Sequence, residues 1–308
     1  MRFFLHRLVR AALTLFVVVG VAFFILRLSA DPAEVILGPD APPAAIAAFR
    51  EAWGLDRSLP VQFADYIVAV LHGDFGRSML NGARVLPLVL DRVPATLEIM
   101  LPALLCAIAV GVPAGISAAL HRNTLADRAI MAASVAGFTM PSFVLGLLLV
   151  LVFAVDLGWL PSGGNDTWRS AILPVLTLAA GSAAVLARFT RGAMVAVLGQ
   201  PYIRTASAKG LLWAAVVRRH ALPNAAIPVV TMVGFMVGGL LAGAVVIESV
   251  FSWPGLGRLM VTSVASRDLA VVQCILLLVA STMIAANLAV DLLYGVLDPR
   301  LRRGGDAR

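Results

Sequence analysis

The sequence predicts an all-α integral membrane protein with six transmembrane helices. Of its 308 residues, 60% are hydrophobic and only 13% are charged, and the mean hydropathy is +0.94. Soluble domains average roughly 45–50% apolar and about 25% charged residues. The apolar residues are also gathered into runs long enough to cross a bilayer, which takes about 20 residues of helix. Together these observations exclude a soluble globular protein.

Six apolar runs give the predicted spans. They cover residues 8–28, 95–120, 129–157, 171–186, 225–250 and 269–293. The first is longer than the apolar region of a typical signal peptide, and no small-x-small cleavage site follows it, so we expect it to remain as a helix. The predicted division of the chain is residues 1–94, with the first span and a folded outer segment; 95–295, a five-helix core; and 296–308, a cytoplasmic tail.

The distribution of arginine and lysine orients these spans. Cytoplasmic loops carry an excess of Lys and Arg, and this bias counts most in short loops. With the amino terminus inside, the inner segments hold 15 of the 24 basic residues, whereas the short outer loops hold only Arg169, Arg258 and Arg267. We therefore expect both termini to face the cytoplasm. The high pI has the same origin, because no recognition helix or aromatic-basic stripe for nucleic acid is present.

The outer segment, residues 30–94, is too long to be a bare connector, so we expect it to fold. A helix is predicted from Pro43 to a stop at Gly54, because proline favours the first turn of a helix and glycine its end. A second helix is predicted over residues 60–71, whose apolar positions have helical spacing.

Residues 188–224, here called the basic segment, carry six basic residues and no Asp or Glu between apolar runs. A short helix is predicted over 202–209, with Pro201 at its start and Gly210 as a left-handed stop. A second helix is predicted over 211–222 and should end at Leu222-Pro223, because proline disfavours helical conformation in the preceding residue. An ordinary basic connector is the alternative interpretation.

No constellation for catalysis or metal binding is evident. The Asp74-Phe75-Gly76 triplet lacks the glycine-rich loop, strand lysine and catalytic loop of a kinase. The sequence has no Walker A motif, no nucleophile elbow and no zinc-protease motif. Its four histidines are scattered among loops, and Cys106 and Cys274 lie in apolar runs without metal-ligand spacing. We expect no catalytic site and no bound metal.

Several strings along the whole chain resemble the first permease subunit of bacterial ABC importers for dipeptides, oligopeptides, glutathione and nickel. They are Gly73-Asp74-Phe75-Gly76-Arg77-Ser78, Arg92-Val93-Pro94-Ala95-Thr96-Leu97-Glu98, Pro141-Ser142-Phe143, Gly158-Trp159-Leu160-Pro161, Glu248-Ser249-Val250-Phe251-Ser252-Trp253-Pro254-Gly255-Leu256-Gly257 and Asp298-Pro299-Arg300. The stretch from Tyr202 to Gly210, followed by His220-Ala221-Leu222-Pro223, resembles the cytoplasmic coupling loop of these permeases.

The resemblance implies the type I ABC importer permease fold and assigns the basic segment to ATPase coupling. The implied coupling residues are Arg204, Thr205, Ala206, Ala208, Lys209, Gly210, Leu222 and Pro223. Small side chains at Ala206 and Ala208 are expected to permit close approach by a partner. Arg204 stands where the general importer motif has glutamate, and the peptide-type branch often has arginine there.

The resemblance also implies the partners: a second homologous permease, two cytoplasmic ATP-binding subunits and a periplasmic binding protein, in the bacterial inner membrane. ATP and magnesium would be bound by the ATP-binding subunits, with no cofactor on this chain. Di- or oligopeptides are the expected cargo, with nickel or glutathione as alternatives. A secondary transporter and a structural membrane protein are rival classes, and co-purification with a soluble ATPase distinguishes both from a permease.

Two residues at membrane depth are candidates for the translocation path. Glu98 lies just inside the second predicted span, and an ionisable group there usually faces the bundle interior or water. Pairing of this carboxylate with Arg92 at the interface is the alternative. Pro141 is expected to kink the third span and free backbone carbonyls that protein or cavity water must satisfy.

Overall fold

A computed structural model describes the backbone of residues 2–29 and 31–297, with side chains at 9–28 and 31–289. These residues are almost entirely helical, and their only β-type pairing is one antiparallel bridge between Arg77 and Arg84. The helices are α1 (Arg2–Ser29), α2 (Pro32–Leu37), α3 (Pro43–Ala52), α4 (Leu59–Leu71), α5 (Val85–Leu90), α6 (Val93–Leu120), α7 (Leu125–Thr139), α8 (Ser142–Leu149), α9 (Ile172–Leu198), α10 (Pro201–Ala208), α11 (Trp213–Val216), α12 (Leu222–Val250), α13 (Leu256–Ala265) and α14 (Leu269–Leu297). Val150–Asp156 and Val217–Ala221 are π-helical, and Trp168–Ala171 is a 3-10 turn. The predicted tail covers residues 296–308, and its part beyond position 297 lies outside the described residues.

The spans agree in number and order with the prediction. Five helical stretches are long and apolar enough to cross a membrane: Val9–Leu28, Val85–Leu120, Trp168–Leu198, Trp213–Val250 and Leu269–Ala289. The predicted third span is a bent pair, Leu125–Thr139 and Ser142–Asp156, whose axes differ by 99°. Counted as one span, this pair brings the total to six.

The bend in the third span occurs at Pro141 and is a full break rather than the predicted kink. Helix α7 ends at Thr139, and α8 begins at Ser142. Met140 has extended backbone angles, φ −73° and ψ 122°, because the proline ring disfavours helical conformation in the residue before it. The sequence placed the irregularity correctly and underestimated its size.

The fourth span extends well beyond its predicted end at position 186. Helix α9 runs to Leu198, so Arg188 and Arg191 lie on a helix and not in a loop. The Arg188 guanidinium lies 5.1 Å from the centroid of the Phe138 ring, and Arg191 forms an ion pair with Asp127. Both cations therefore have partners on α7, although the predicted span ended before the first of them.

The predicted helix end at Leu222-Pro223 is wrong. Trp213–Val250 is one continuous helical stretch made of α11, the π-helical segment and α12. A proline inside a regular α-helix removes a hydrogen bond and clashes with the carbonyl four residues earlier. Here the segment before it, Val217–Ala221, is π-helical, and Pro223 lies in the first turn of α12, where proline is tolerated. The side-chain amide of Asn224 donates to the His220 carbonyl at 2.7 Å beside it.

Residues 2–29, 31–96 and 254–284 form one compact unit. The two helices predicted in the outer segment are present as α3 and α4, and Gly54 follows α3 at φ +62°. Phe63 of α4 packs edge-on against Phe16 and Phe23 of α1, with ring centroids 5.7 and 5.2 Å apart. A second cluster joins α5, α13 and α14 through Val85, Val89, Leu256, Val271, Cys274 and Ile275.

Residues 97–253 and 285–297 form the second unit. Helix α9 is central to it and packs against α7, α8 and α12. Helix α6 approaches α9 closely through Gly111 and Gly115. A Cβ at Gly115 would lie 2.4 Å from the Ala187 carbonyl oxygen, and one at Gly111 would lie 2.7 Å from that of Ala183. Only glycine fits this contact, which follows the small-xxx-small spacing of membrane helices.

Candidate functional site

Helix α10 is the central element of the basic segment. It begins at Pro201, whose missing N–H costs nothing at the first helical turn, and it ends at Ala208, with Lys209 as the C-cap. Gly210 follows at φ +81°, the left-handed conformation predicted from the sequence. No atom lies within 4 Å of a Cβ built at this position, so glycine is required there by backbone conformation and not by space.

The face of α10 that turns inward is defined by Ile203 and Ala206. Their exposed fractions are 2% and 6%, and both belong to a hydrophobic cluster with α6, α9, α12 and the α11 region. The other members of this cluster are Ala119, Met194, Val216, Val217, Ala221 and Ala225. Ala206 therefore packs within its own chain, which corrects the expectation that its small side chain lies open to a partner.

The opposite face of α10 is open and basic. Arg204, Thr205, Ala208 and Lys209 are all exposed. The Thr205 hydroxyl donates to the Pro201 carbonyl at 3.1 Å, so its hydrogen is used within α10. Small and basic side chains thus share the exposed face of α10.

Exposed apolar side chains adjoin this basic face. Leu212 is 80% and Trp213 is 54% exposed, directly after the turn at Gly210. Further along, Leu222 is partly buried against the hydrophobic cluster and Pro223 is exposed. Leu222 therefore anchors the start of α12 to the cluster, whereas the Pro223 side chain is exposed on the surface of α12. A mixed basic and apolar surface of this kind is suited to a protein partner, since aromatic and arginine side chains are enriched at interfaces.

An ion pair between Asp127 of α7 and Arg191, in the part of the basic segment that belongs to α9, joins these two helices. Arg191 Nε lies 2.6 Å from Oδ1 of Asp127, and Nη2 lies 2.7 Å from Oδ2. Asp127 is 3% exposed and also accepts the backbone N–H of Asn123 at 2.9 Å. Sequence reasoning missed this pair. The spacing Thr124-x-x-Asp127 indicates only the start of α7, where the Thr124 hydroxyl accepts the Asp127 N–H, and no local pattern links Asp127 to Arg191.

The two candidates for the translocation path occupy different surroundings. Pro141 lines a cavity of about 470 Å³ between α7, α8, α9 and α12, together with small, methionine and phenylalanine side chains. Glu98 is exposed on α6 and is not among the residues that line this cavity. Arg92, the alternative partner expected for Glu98, donates to the Pro254 carbonyl at 3.4 Å. The structure does not bring Glu98 and Pro141 together at one cavity.

The family of this chain follows from comparison with known proteins. Residues 111–303 match the family of binding-protein-dependent transport system inner membrane components. Residues 1–100 match the N-terminal module of the corresponding membrane components. The chain belongs to this family.

Its relatives include glutathione transport system permease proteins GsiC. Those of Escherichia coli (strain K12) and Salmonella typhimurium (strain LT2) are each 46% identical to this permease over 303 residues, covering 98% of this chain and 99% of theirs. The inward-facing MetNI methionine ABC transporter has a chain of the same fold, with a TM-score of 0.60, 20% sequence identity, and coverage of 68% of this chain and 96% of that one.

The chain is thus an ABC importer permease and a multi-pass protein of the inner membrane. Family membership implies that a binding protein and a separate ATPase serve the same transport system. The recognition made from short strings along the chain is confirmed, and so is the type I importer permease fold.

Proposed function

We propose that this permease serves an ATP-driven importer of small peptides, with glutathione, a tripeptide, as the first candidate cargo. The supporting observation is its 46% identity, over nearly the whole length, to permeases named for glutathione transport. The sequence alone predicts di- or oligopeptides, with glutathione as an alternative, and glutathione is itself a small peptide. Nickel remains the third candidate cargo.

The basic segment is the contact with the ATPase in this proposal. Arg204, Thr205, Ala208 and Lys209 present the open face of α10, and Gly210 sets the turn that leads to Leu212 and Trp213. Ala206 and Leu222 contribute differently, because their packing ties α10 to the rest of the second unit. Pro223 is exposed on the surface of α12, in its first turn.

The motion of the ATPase would reach the membrane through two rigid connections. Ile203 and Ala206 fix α10 to α9 and α12, so a push on its open face moves these helices as well. The uninterrupted helical stretch Trp213–Val250 then carries the displacement into the bilayer. Nucleotide binding would favour one of two packings of the spans, which is a population shift caused by differential contacts.

The partners follow from this mechanism. A second homologous permease would complete the pathway, two ATP-binding subunits would dock in the cytoplasm, and a periplasmic binding protein would deliver cargo. ATP and magnesium belong to the ATP-binding subunits, and this chain binds no cofactor and performs no hydrolysis. Both termini lie in the cytoplasm, as the distribution of arginine and lysine predicts.

The cavity beside Pro141 is this chain's proposed share of the translocation path. Among the described residues, no charged side chain lines it, and Met140, Met232 and Met236 contribute flexible thioether side chains. Methionine-rich surfaces adapt to ligands of different shape, which suits cargo selected elsewhere by a binding protein. Glu98, exposed on α6, would meet cargo or the second permease nearer the outer side.

Uptake by a strain that lacks this gene tests the cargo assignment. We expect loss of labelled glutathione uptake, or of labelled dipeptide uptake, with restoration by the intact gene. Unchanged nickel uptake in the same cells is the matched control. If uptake of both peptides persists and nickel uptake disappears, the cargo assignment is wrong while the family assignment is unaffected.

A further inference from the structure

The outer segment contains an open polar cup of about 640 Å³ within the first compact unit. The proposed transport mechanism does not use this cup. Apart from Trp53, which follows α3, its lining residues come from the stretch 72–87: His72, Gly73, Asp74, Phe75, Gly76, Arg77, Arg84, Leu86 and Pro87. We call it the arginine cup. Its volume lies within the roughly 300–1,000 Å³ typical of small-molecule sites.

Two guanidinium groups dominate one side of the arginine cup. Arg77 and Arg84 are paired in an antiparallel bridge, so their side chains leave the backbone on the same face. Like charges placed directly opposite each other are destabilising in such a pair. Arg77 donates to the Gly82 carbonyl at 3.0 Å. Within the described residues, the guanidinium of Arg84 makes neither a hydrogen bond nor an ion pair, and the side chains of both arginines are exposed. An anion bound between them would remove the repulsion.

The remaining walls add one negative charge and an apolar surface. One oxygen of Asp74 accepts the Gly76 N–H at 2.9 Å, and the carboxylate remains exposed at the cup. Trp53, Phe75 and Leu86 supply aromatic and aliphatic contacts. The ligand that matches all three walls has a carboxylate, a positively charged amine and an apolar middle. A small peptide with free termini has these groups.

We propose that the arginine cup binds the C-terminal carboxylate of a small peptide on its way to the membrane path. The planar guanidinium groups of Arg77 and Arg84 can hold a carboxylate through paired N–H donors. Asp74 would face the peptide's amine. This inference rests on the proposed function, because it takes the cargo to be a small peptide.

Direct binding to the intact transporter tests the arginine cup. The full complex of both permeases and the ATPases is placed in lipid nanodiscs without the binding protein. It is titrated with glutathione, with alanyl-phenylalanine and with the C-terminal amide of the same dipeptide, and binding is followed by saturation-transfer NMR. We expect the amide to bind about tenfold more weakly or worse, the loss expected from one charge-assisted hydrogen bond. Equal binding of acid and amide overturns the proposal.

Variants of the two arginines localise the effect. Arg77→Gln and Arg84→Gln should each weaken binding of the free acid about tenfold, and Arg84→Lys should be intermediate because it keeps the charge and loses the planar fork. The matched control is Arg57→Gln, since Arg57 is an exposed arginine of the same unit that pairs with Asp65 at 3.1 Å and does not line the cup. Unchanged affinity in both cup variants overturns the proposal.

Two further measurements separate the other outcomes. If Arg84→Gln weakens binding of the cargo-free binding protein and leaves peptide affinity unchanged, the cup recognises an acidic side chain of that protein and the proposal is overturned. If the unmodified transporter imports peptide but the cup variants bind peptide with normal affinity, the cup proposal is wrong and the proposed cargo is unaffected. If the parent imports neither glutathione nor dipeptide, the proposed cargo fails and the cup proposal fails with it.

Discussion

The hydroxyl of Ser78 donates a hydrogen bond to Oδ2 of Asp268, joining two points 190 residues apart in the chain. The other carboxylate oxygen, Oδ1, accepts the Met79 N–H at 3.2 Å. Both Ser78 and Asp268 are 2% exposed. A carboxylate in this position depends on these donors, because few water molecules can replace them.

Replacement of Ser78 by alanine should therefore destabilise the first unit. A buried charged acceptor that loses a donor costs about 1–3 kcal/mol. We expect a lower melting temperature of the purified complex, measured by a fluorescence-based thermal shift. The control is Ser58→Ala, because Ser58 is exposed and makes no capping hydrogen bond through its side chain. Equal melting temperatures for both variants would show that the Ser78–Asp268 contact contributes nothing.

The close approach of α6 to α9 gives a second prediction. Gly115→Ala places a methyl group against the backbone of Ala187, where the helices must separate to admit it. Overpacking of this kind typically costs about 1–3 kcal/mol. We expect reduced amounts of the variant in the membrane and a lower melting temperature.

Gly192→Ala is the matched control for this contact. It changes a helical glycine on α9 that has no atom within 4 Å of its added Cβ. Alanine is also the better helix former, so this variant should be as stable as the parent or slightly more so. If Gly115→Ala behaves like Gly192→Ala, the helices do not approach as closely as the structure indicates.

Much of the fold could be predicted because apolar runs and helix stop signals act locally. The six spans, α3, α4 and the positive φ of Gly210 all follow from short stretches of sequence. The end of α9 and the continuity at Pro223 could not be predicted in this way. The two arginines of α9 contact side chains of α7 that are far away in the sequence, and Pro223 follows a π-helical segment that has no composition signal.

The candidate site was only half predictable for a related reason. The sequence identifies α10 and its small residues, and it cannot say which of them pack inward. Ala206 and Ala208 look alike in the sequence, yet Ala206 is buried and Ala208 is exposed. The hydrophobic cluster that distinguishes them draws on α6, α9 and α12, which are separate in the chain.

Cysteine labelling tests the proposed orientation. In a background with Cys106 and Cys274 replaced, Asn81→Cys in the outer segment should react with a membrane-impermeant thiol reagent added outside. Ser207→Cys in α10 should react only after the inner membrane is opened. Both positions are exposed, so the difference depends on sidedness and not on burial. Labelling of Ser207→Cys from outside would reverse the orientation inferred from the basic residues.

The opposite environments of Ala206 and Ala208 allow a sharper test of the ATPase contact. Ala208→Asp adds a negative charge to the open basic face, where it should weaken ATPase binding and abolish ATP-dependent uptake without changing the melting temperature of the permease. Ala206→Asp buries a carboxylate in the hydrophobic cluster, so it should lower the amount of folded protein instead. Co-purification with the ATPase and thermal shift, measured on both variants, separate docking from folding.

The turn after α10 provides the last prediction. Gly210→Val forces a β-branched residue to φ +81°, which is expected to cost about 1–3 kcal/mol and to displace Leu212 and Trp213. The variant should insert at near-normal levels, since no atom within 4 Å blocks the added side chain, and it should lose ATPase association and uptake together. Asn165→Asp, at an exposed position in the loop between α8 and α9, is the control and should retain both. If Gly210→Val and Ala208→Asp bind the ATPase and transport as well as Asn165→Asp does, the basic segment is only a connector between spans.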